Sequence, residues 1–329
     1  MNSSEKFEQI YSKIVEKNSE DLESSRFGAK NETIINIAII SIIIIIGFAF
    51  YHFLYKTFYP NDELVRFIIS IYIIVSILIY IIAKPKKHNS KIVKYKNDFK
   101  TKVIKALLDS FGENLSYYPN QGINSSSYRD AEFAKYDKYS SEDLIQGILK
   151  NNCNFSMAEI STVYTTKDSN DNEITQELFC GILSKVETPK PFNACLYLRK
   201  DIKDKNLISR AFKIKLPFDK LRVKLDSQEF EKIFDVYCSD KIIAMQLLTA
   251  DIMELLVEFQ KEMNMEYELT LKNNLIYIRF MSGEMFETAN IMKYSLDKAT
   301  LYKYYRMLDF TISLTNKLIK LIQIKEYDD

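Results

Sequence analysis

The chain has 329 residues, a formal net charge of +1, 47% hydrophobic residues and 27% charged residues. This balance excludes the one-sided charge field of a nucleic-acid binder, and it is too apolar for a disordered chain. Four scattered cysteines, none in a CxxC pair, argue for free thiols in a reducing compartment, and seven glycines with six prolines favour long helices and simple hairpins.

Residues 1–32 predict a cytoplasmic amphipathic helix, because Phe7, Ile10, Tyr11, Ile14 and Val15 recur at helical spacing. Two uses of its apolar face stay open: packing on the protein's own C-terminal domain, or lying on a membrane surface. Residues 33–83 predict a transmembrane hairpin with spans at 33–55 and 64–83. The first span has no Asp, Glu, Lys or Arg, and about 20 apolar residues at about 1.5 Å each cross roughly 30 Å of hydrocarbon. Arg66 opens the second span, where a long side chain can snorkel, and Pro60 and Asn61 suit the turn between the two. A start more than thirty residues into the chain, with a second span behind it, argues against a signal peptide.

Residues 84–112 predict a basic juxtamembrane helix, with Ile92, Tyr95, Phe99, Val103, Leu107 and Phe111 as its apolar stripe. Lys84, Lys86, Lys87, Lys91 and Lys94 are candidate contacts for anionic lipid headgroups. The other reading, a solvated face that sets topology, is equally open. The short linker between the spans holds only Lys56, so lysine bias puts both termini in the cytoplasm of a multi-pass protein of the cell membrane.

Residues 113–329 predict a cytoplasmic α+β domain with an antiparallel sheet. The Ser/Asn/Tyr-rich stretch 117–141 reads as loop, and Ser141-Glu142-Asp143 as a weak helix start. Residues 155–165 and 178–186 read as a hairpin around a polar loop. Further strands are expected at 193–199, 212–218, 221–225 and 235–238, a short helix at 228–234, and one long helix at 242–263. Asn273-Asn274 is the turn of a tight hairpin joining 267–271 to 275–280. A final helix covers 292–324; its impure seam, with Tyr305 and Thr315, favours packing on its own chain over an oligomeric coiled coil. On this reading a fragment covering residues 90–329 folds without the rest.

Several fragments, in order, resemble a known family. They include Asn114-Leu115-Ser116-Tyr117-Tyr118-Pro119, Glu142-Asp143-Leu144-Ile145-Gln146-Gly147, Phe155-Ser156-Met157-Ala158-Glu159, Phe179-Cys180-Gly181-Ile182-Leu183, Glu229-Phe230-Glu231-Lys232-Ile233-Phe234, Ala244-Met245-Gln246-Leu247-Leu248-Thr249 and Met285-Phe286-Glu287. Together they resemble the domain-of-unknown-function 3137 family, membrane-anchored proteins of bacteria. The resemblance runs from about Phe99 to Glu287, and Ile182-Leu183-Ser184-Lys185 departs from it in being less aromatic. It implies a layout of two spans before a soluble domain, and no catalytic residue.

The soluble part beyond Asn89 has no histidine, and no glycine spacing suits a phosphate loop. Glu254, Glu258 and Glu262 read as a solvated helix face, Asp240 and Asp251 as partners of a helix start, and Tyr302-Lys303-Tyr304-Tyr305-Arg306 as a weak case for base stacking. Neither a catalytic residue nor a cofactor or metal is expected. The expected role is a membrane-tethered, non-catalytic binding or scaffold protein, with the lipid bilayer and an unidentified protein as partners and no nucleic acid. The alternatives are lipid binding or membrane sensing, and an enzyme that uses only Asp, Lys or Tyr.

Overall fold

A computed structural model describes residues 3–58, 62–83, 90–133, 135–167, 171–200, 222–287, 291, 292, 294 and 296–324. The chain forms two compact units. One comprises residues 1–11, 104–287 and 298–329, the other residues 12–103 and 288–297.

The first unit is α+β. Its strands are β1 (Asn114–Tyr118), β2 (Lys138–Ile148), β3 (Asn154–Lys167), β4 (Glu173–Glu187), β5 (Leu196–Lys200), β6 (Arg222–Val223), β7 (Phe234–Cys238), β8 (Tyr267–Lys272) and β9 (Leu275–Phe280). They form one antiparallel sheet of nine strands in the order β1-β2-β3-β4-β9-β8-β5-β7-β6. The β8–β9 hairpin is thus inserted between β4 and β5, and Asn273 turns it at a φ of 55°, as the Asn-Asn pair predicts. β3 and β4 pair along the whole run from Asn154↔Glu187 to Lys167↔Glu173, with a bulge at Thr162/Val163.

Both faces of the sheet are covered. On one face Tyr128, Ala131 and Phe133 from α5 (Ser125–Asp130) and the residues after it pack with Ile160, Leu183 and Tyr277. On the other lie α8 (Ala250–Met263) and α9 (Lys298–Ile324), whose Phe259 and Phe310 stack with ring centres 4.0 Å apart over Tyr267 and Phe280. Such a stack adds about 1 kcal/mol to the area it buries. Tyr305 and Thr315, the impure seam of the last helix, are buried within the chain.

Several expectations are corrected here. Residues 117–141 are not one loop: β1 ends there, Asn124 caps α5 through Ser126 N, and β2 begins at Lys138. β1 and the outer half of β2 alternate between exposed and half-buried positions, so they show no apolar run. Ser141-Glu142-Asp143 lies inside β2, with Asp143 at a φ of 57° where the register shifts against β3. The long helix at 242–263 is two, α7 (Lys241–Leu247) and α8, because Leu248 leaves helical geometry and Thr249 starts α8 from an extended conformation. α6 (Gln228–Glu231) is shorter than expected, α9 starts at Lys298 rather than near 292, and the strand expected at 212–218 lies outside the described residues.

The second unit is helical. α1 (Ser3–Phe58) is one continuous helix, so residues 1–32 and the first span are not separate elements. No proline interrupts it, and its two glycines sit where neighbours come close. A side chain at Gly47 would meet the Tyr72 ring at 2.8 Å. Tyr72 belongs to α2 (Asp62–Ala83) and donates its hydroxyl to the Ile43 carbonyl, a partner for a phenol that would otherwise sit among isoleucines. Of residues 84–112, the described part holds α3 (Lys91–Asp98) and a π-helical turn at Phe99–Ile104, while α4 (Lys105–Asp109) already belongs to the sheet unit.

The first turns of α1 belong to the core of the sheet unit. Phe7 is 1% exposed and packs on Tyr302 and Tyr305 at 5.0 and 5.4 Å, Ser3 donates to Asp309, and Glu8 pairs with Lys298. Of the two uses open for this apolar face, packing on the C-terminal domain holds for these turns. A fragment of residues 90–329, expected above to fold without the rest, would lack these contacts. Replacement Phe7→Ala removes a buried ring, and thermal or denaturant unfolding of the full-length protein in detergent is expected to show a loss of about 3 kcal/mol. A fragment lacking residues 1–11 is expected to lose at least as much.

Candidate membrane-surface site

The apolar stretch of α1 starts directly after Glu32. Its most apolar 18-residue window has a mean hydropathy of 2.7, and none of that window is buried. Ile44, Ile45 and Phe48 are 64%, 66% and 74% exposed. α1 is the one helix among the described residues that is long and apolar enough, by length and composition, to cross a membrane.

Glu32 itself is held by the start of α3. Ser90 Oγ donates to Glu32 Oε1 at 2.7 Å, and the Lys91 backbone N–H donates to Oε2 at 2.6 Å. Ser90 also caps α3, its hydroxyl accepting from Ile92 N at 3.2 Å. A carboxylate at a helix N-terminus satisfies free backbone donors and complements the helix dipole. Further along, Ser25 bonds Asp98, and Lys102 pairs with Asp21 at 3.0 Å. Each step forward on the returning helix matches a step back on α1, so the two run antiparallel.

Lys91 and Lys94 stand one turn apart with both side chains exposed. They are therefore presented together beside the polar end of the apolar stretch. Lys84, Lys86 and Lys87 lie outside the described residues. Phe27, 53% exposed, sits a turn before the apolar stretch under the Arg26 guanidinium, and Arg26 also pairs with Glu23 and donates to the Ile291 carbonyl.

The other candidate residues do not converge. Asp240 caps α7 through Ile242 N at 2.7 Å, and Asp251 bonds Thr249 and Lys317. Glu262 is held by Arg306 and Tyr302, while Glu254 and Glu258 are exposed. Tyr304, Tyr305 and Arg306 are buried, which leaves no stacking platform there.

Sequence reasoning missed a buried ionic network on the α5 side of the sheet. Glu268 and Arg279 face each other across β8 and β9 and are joined at 2.7 and 2.8 Å. Arg279 also donates to the Tyr128 hydroxyl at 2.9 Å. Arg199, on β5, donates to the carbonyls of Leu269 and Ala131 and to Thr270 Oγ1, with its Nε 3.8 Å from Glu268. Burial among these groups lowers the Arg199 guanidinium to about 10. Part of the signal was available: Glu268 sits between Tyr267 and Leu269 and Arg279 between Ile278 and Phe280, so each of these charges has to be paired. A second missed group is Glu159, buried on β3. A recess lined by Thr188, Pro189, Lys190, Ile319 and Ile322 has a volume of about 30 Å³, far below the roughly 300 Å³ of a small ligand pocket.

Residues 177–320 match the profile of a family described as protein of unknown function (DUF3137). The match takes in β4 through most of α9 and supports the resemblance seen in the sequence. No curated protein and no solved structure matches the chain.

Two predictions follow from this geometry. Exchanging Lys91 and Lys94 for alanine is expected to weaken retention of anionic lipid by the purified protein, about fivefold per lysine, as read by lipid mass spectrometry. Glu268→Gln leaves two buried guanidiniums without their carboxylate, and denaturant unfolding is expected to show a loss of about 3–5 kcal/mol.

Proposed function

We propose that this chain is a two-span protein of the cell membrane whose α+β domain works at the cytoplasmic face as a non-catalytic binding or scaffold module for a partner protein. The observation that carries the topology is the grip of Ser90 and Lys91 on Glu32. The chain leaves the polar side at Glu32 and comes back to the same carboxylate at Ser90. Between them lie the apolar stretch of α1 and the 22 residues of α2, which this reading takes as the second crossing. Two crossings bring the chain back to the side it left. Exposed isoleucines along α1 favour a lipid covering, since a bare apolar surface of this extent is unfavourable in water.

Lysine bias supports a cytoplasmic location for both termini, and the free thiols fit a reducing compartment. The non-catalytic reading is supported by the engagement of the interior charges with one another, as at Arg279–Glu268. Lipid binding is the second reading, and the exposed Lys91–Lys94 pair favours it. An enzyme relying on Asp, Lys or Tyr ranks last.

Labelling of introduced cysteines with a membrane-impermeant maleimide in intact cells tests the topology. Asn61→Cys is expected to react, and Ser90→Cys to react only after permeabilisation. The reverse pattern overturns the proposal.

A further inference from the structure

We propose that Glu159 and the segment 281–287 form a proton-operated latch, closed while Glu159 carries a proton and loosened when the proton leaves. The segment follows β9 and is fastened to the sheet unit by individual bonds rather than by a ladder. Met281 N donates to the Glu266 carbonyl, Lys303 Nζ to the Ser282 carbonyl, Gly283 N to the Cys180 carbonyl, and Tyr304 to the Glu287 carbonyl. At its centre, Met285 N donates to Glu159 Oε2 at 2.7 Å, a buried bond. The next residue, Phe286, is fully buried against Tyr304 at 5.0 Å and has a φ of 56°. A bulky side chain avoids that region unless its surroundings hold it there. The bond to Glu159 is one of the contacts that do so.

Glu159 has acidic company. Glu142 faces it directly across β2 and β3, an arrangement of like charges that opposes pairing. Asp143 from the same β2 irregularity and Glu284 from the latch itself also raise its proton affinity. Around these stand Tyr117, hydrogen-bonded to Asp143, then Cys180 on β4 and Tyr304 on α9. Lys303 on α9 gives its amine to the Ser282 carbonyl. Burial first, then these carboxylates, push Glu159 from its ordinary 4.5 up to about 7, against the opposing pull of the Met285 N–H.

The sign follows. The closed state binds the proton more tightly than an open state in which Glu159 meets water. Closure is therefore fully supported below the ordinary carboxylate value and loses that support as pH rises to about 7. A single such group raises the open fraction about tenfold between pH 6 and pH 8.

Hydrogen exchange of the full-length protein in detergent tests this, with peptides covering 281–287 read at both pH values and corrected for the intrinsic exchange rate. The β8–β9 hairpin serves as internal reference. The expected result is about tenfold more opening of 281–287 at pH 8, with the reference unchanged. Glu159→Gln keeps an acceptor for Met285 N–H and is expected to give equal opening at both values. Glu142→Gln removes the facing charge without touching the bond and is expected to shrink the change. Equal opening of the natural protein at both values overturns the latch. So does a full tenfold change that survives in either variant.

Discussion

The central strands β5, β8 and β9 are buried at nearly every position, and this double burial governs the sheet unit. A charged group placed there has no water to solvate it, so it survives only with a partner of opposite sign and a full set of hydrogen bonds. Glu268, between Arg279 and Arg199, is that partner, and Thr270 with the Ala131 and Leu269 carbonyls takes up the remaining guanidinium donors. The carbonyl of Ala131 comes from the chain that follows α5. The network thus joins the α5 layer to the strands, and the same contacts that neutralise the charge fix where that layer sits.

Burial works in the other direction along α1. Its first turns are buried by aromatic rings of α9, while its middle offers isoleucines that stay exposed among the described residues. One helix therefore carries a buried start and a bare apolar middle. Between those extremes α1 is joined to α3 and the π-helical turn after it by polar contacts at Asp21, Ser25 and Glu32, each drawn from the side of α1 that a purely apolar pattern would ignore.

Much of this was legible in the sequence where a strong pattern had one interpretation. The Asn273-Asn274 hairpin, the β3–β4 hairpin and the apolar stretch after residue 33 all appear where periodicity and turn residues put them. Edge elements were hidden, since β1 and the outer half of β2 carry polar residues on an exposed side and look like loop. The break between α7 and α8 was hidden for another reason: Leu248 and Thr249 are acceptable inside a helix, and the interruption lies in backbone geometry rather than composition. In the candidate site, Lys91 and Lys94 were legible as basic residues close to an apolar stretch, but the role of Glu32 was not. Its partner stands 58 residues away, and no local spacing relates the two.

The contact of Phe7 with Tyr305 has a consequence for the order of assembly. The two residues stand at opposite ends of the chain, so on the ribosome the first is made long before the second exists. The opening turns of α1 must wait, with an apolar face unsatisfied, while the rest of α1, α2 and the whole sheet are synthesised. Contacts of such sequence separation close late because the loop entropy is lost before they form. α9 therefore completes the sheet unit by capturing the opening turns of α1, and until then the waiting segment is the exposed surface on which premature association would begin.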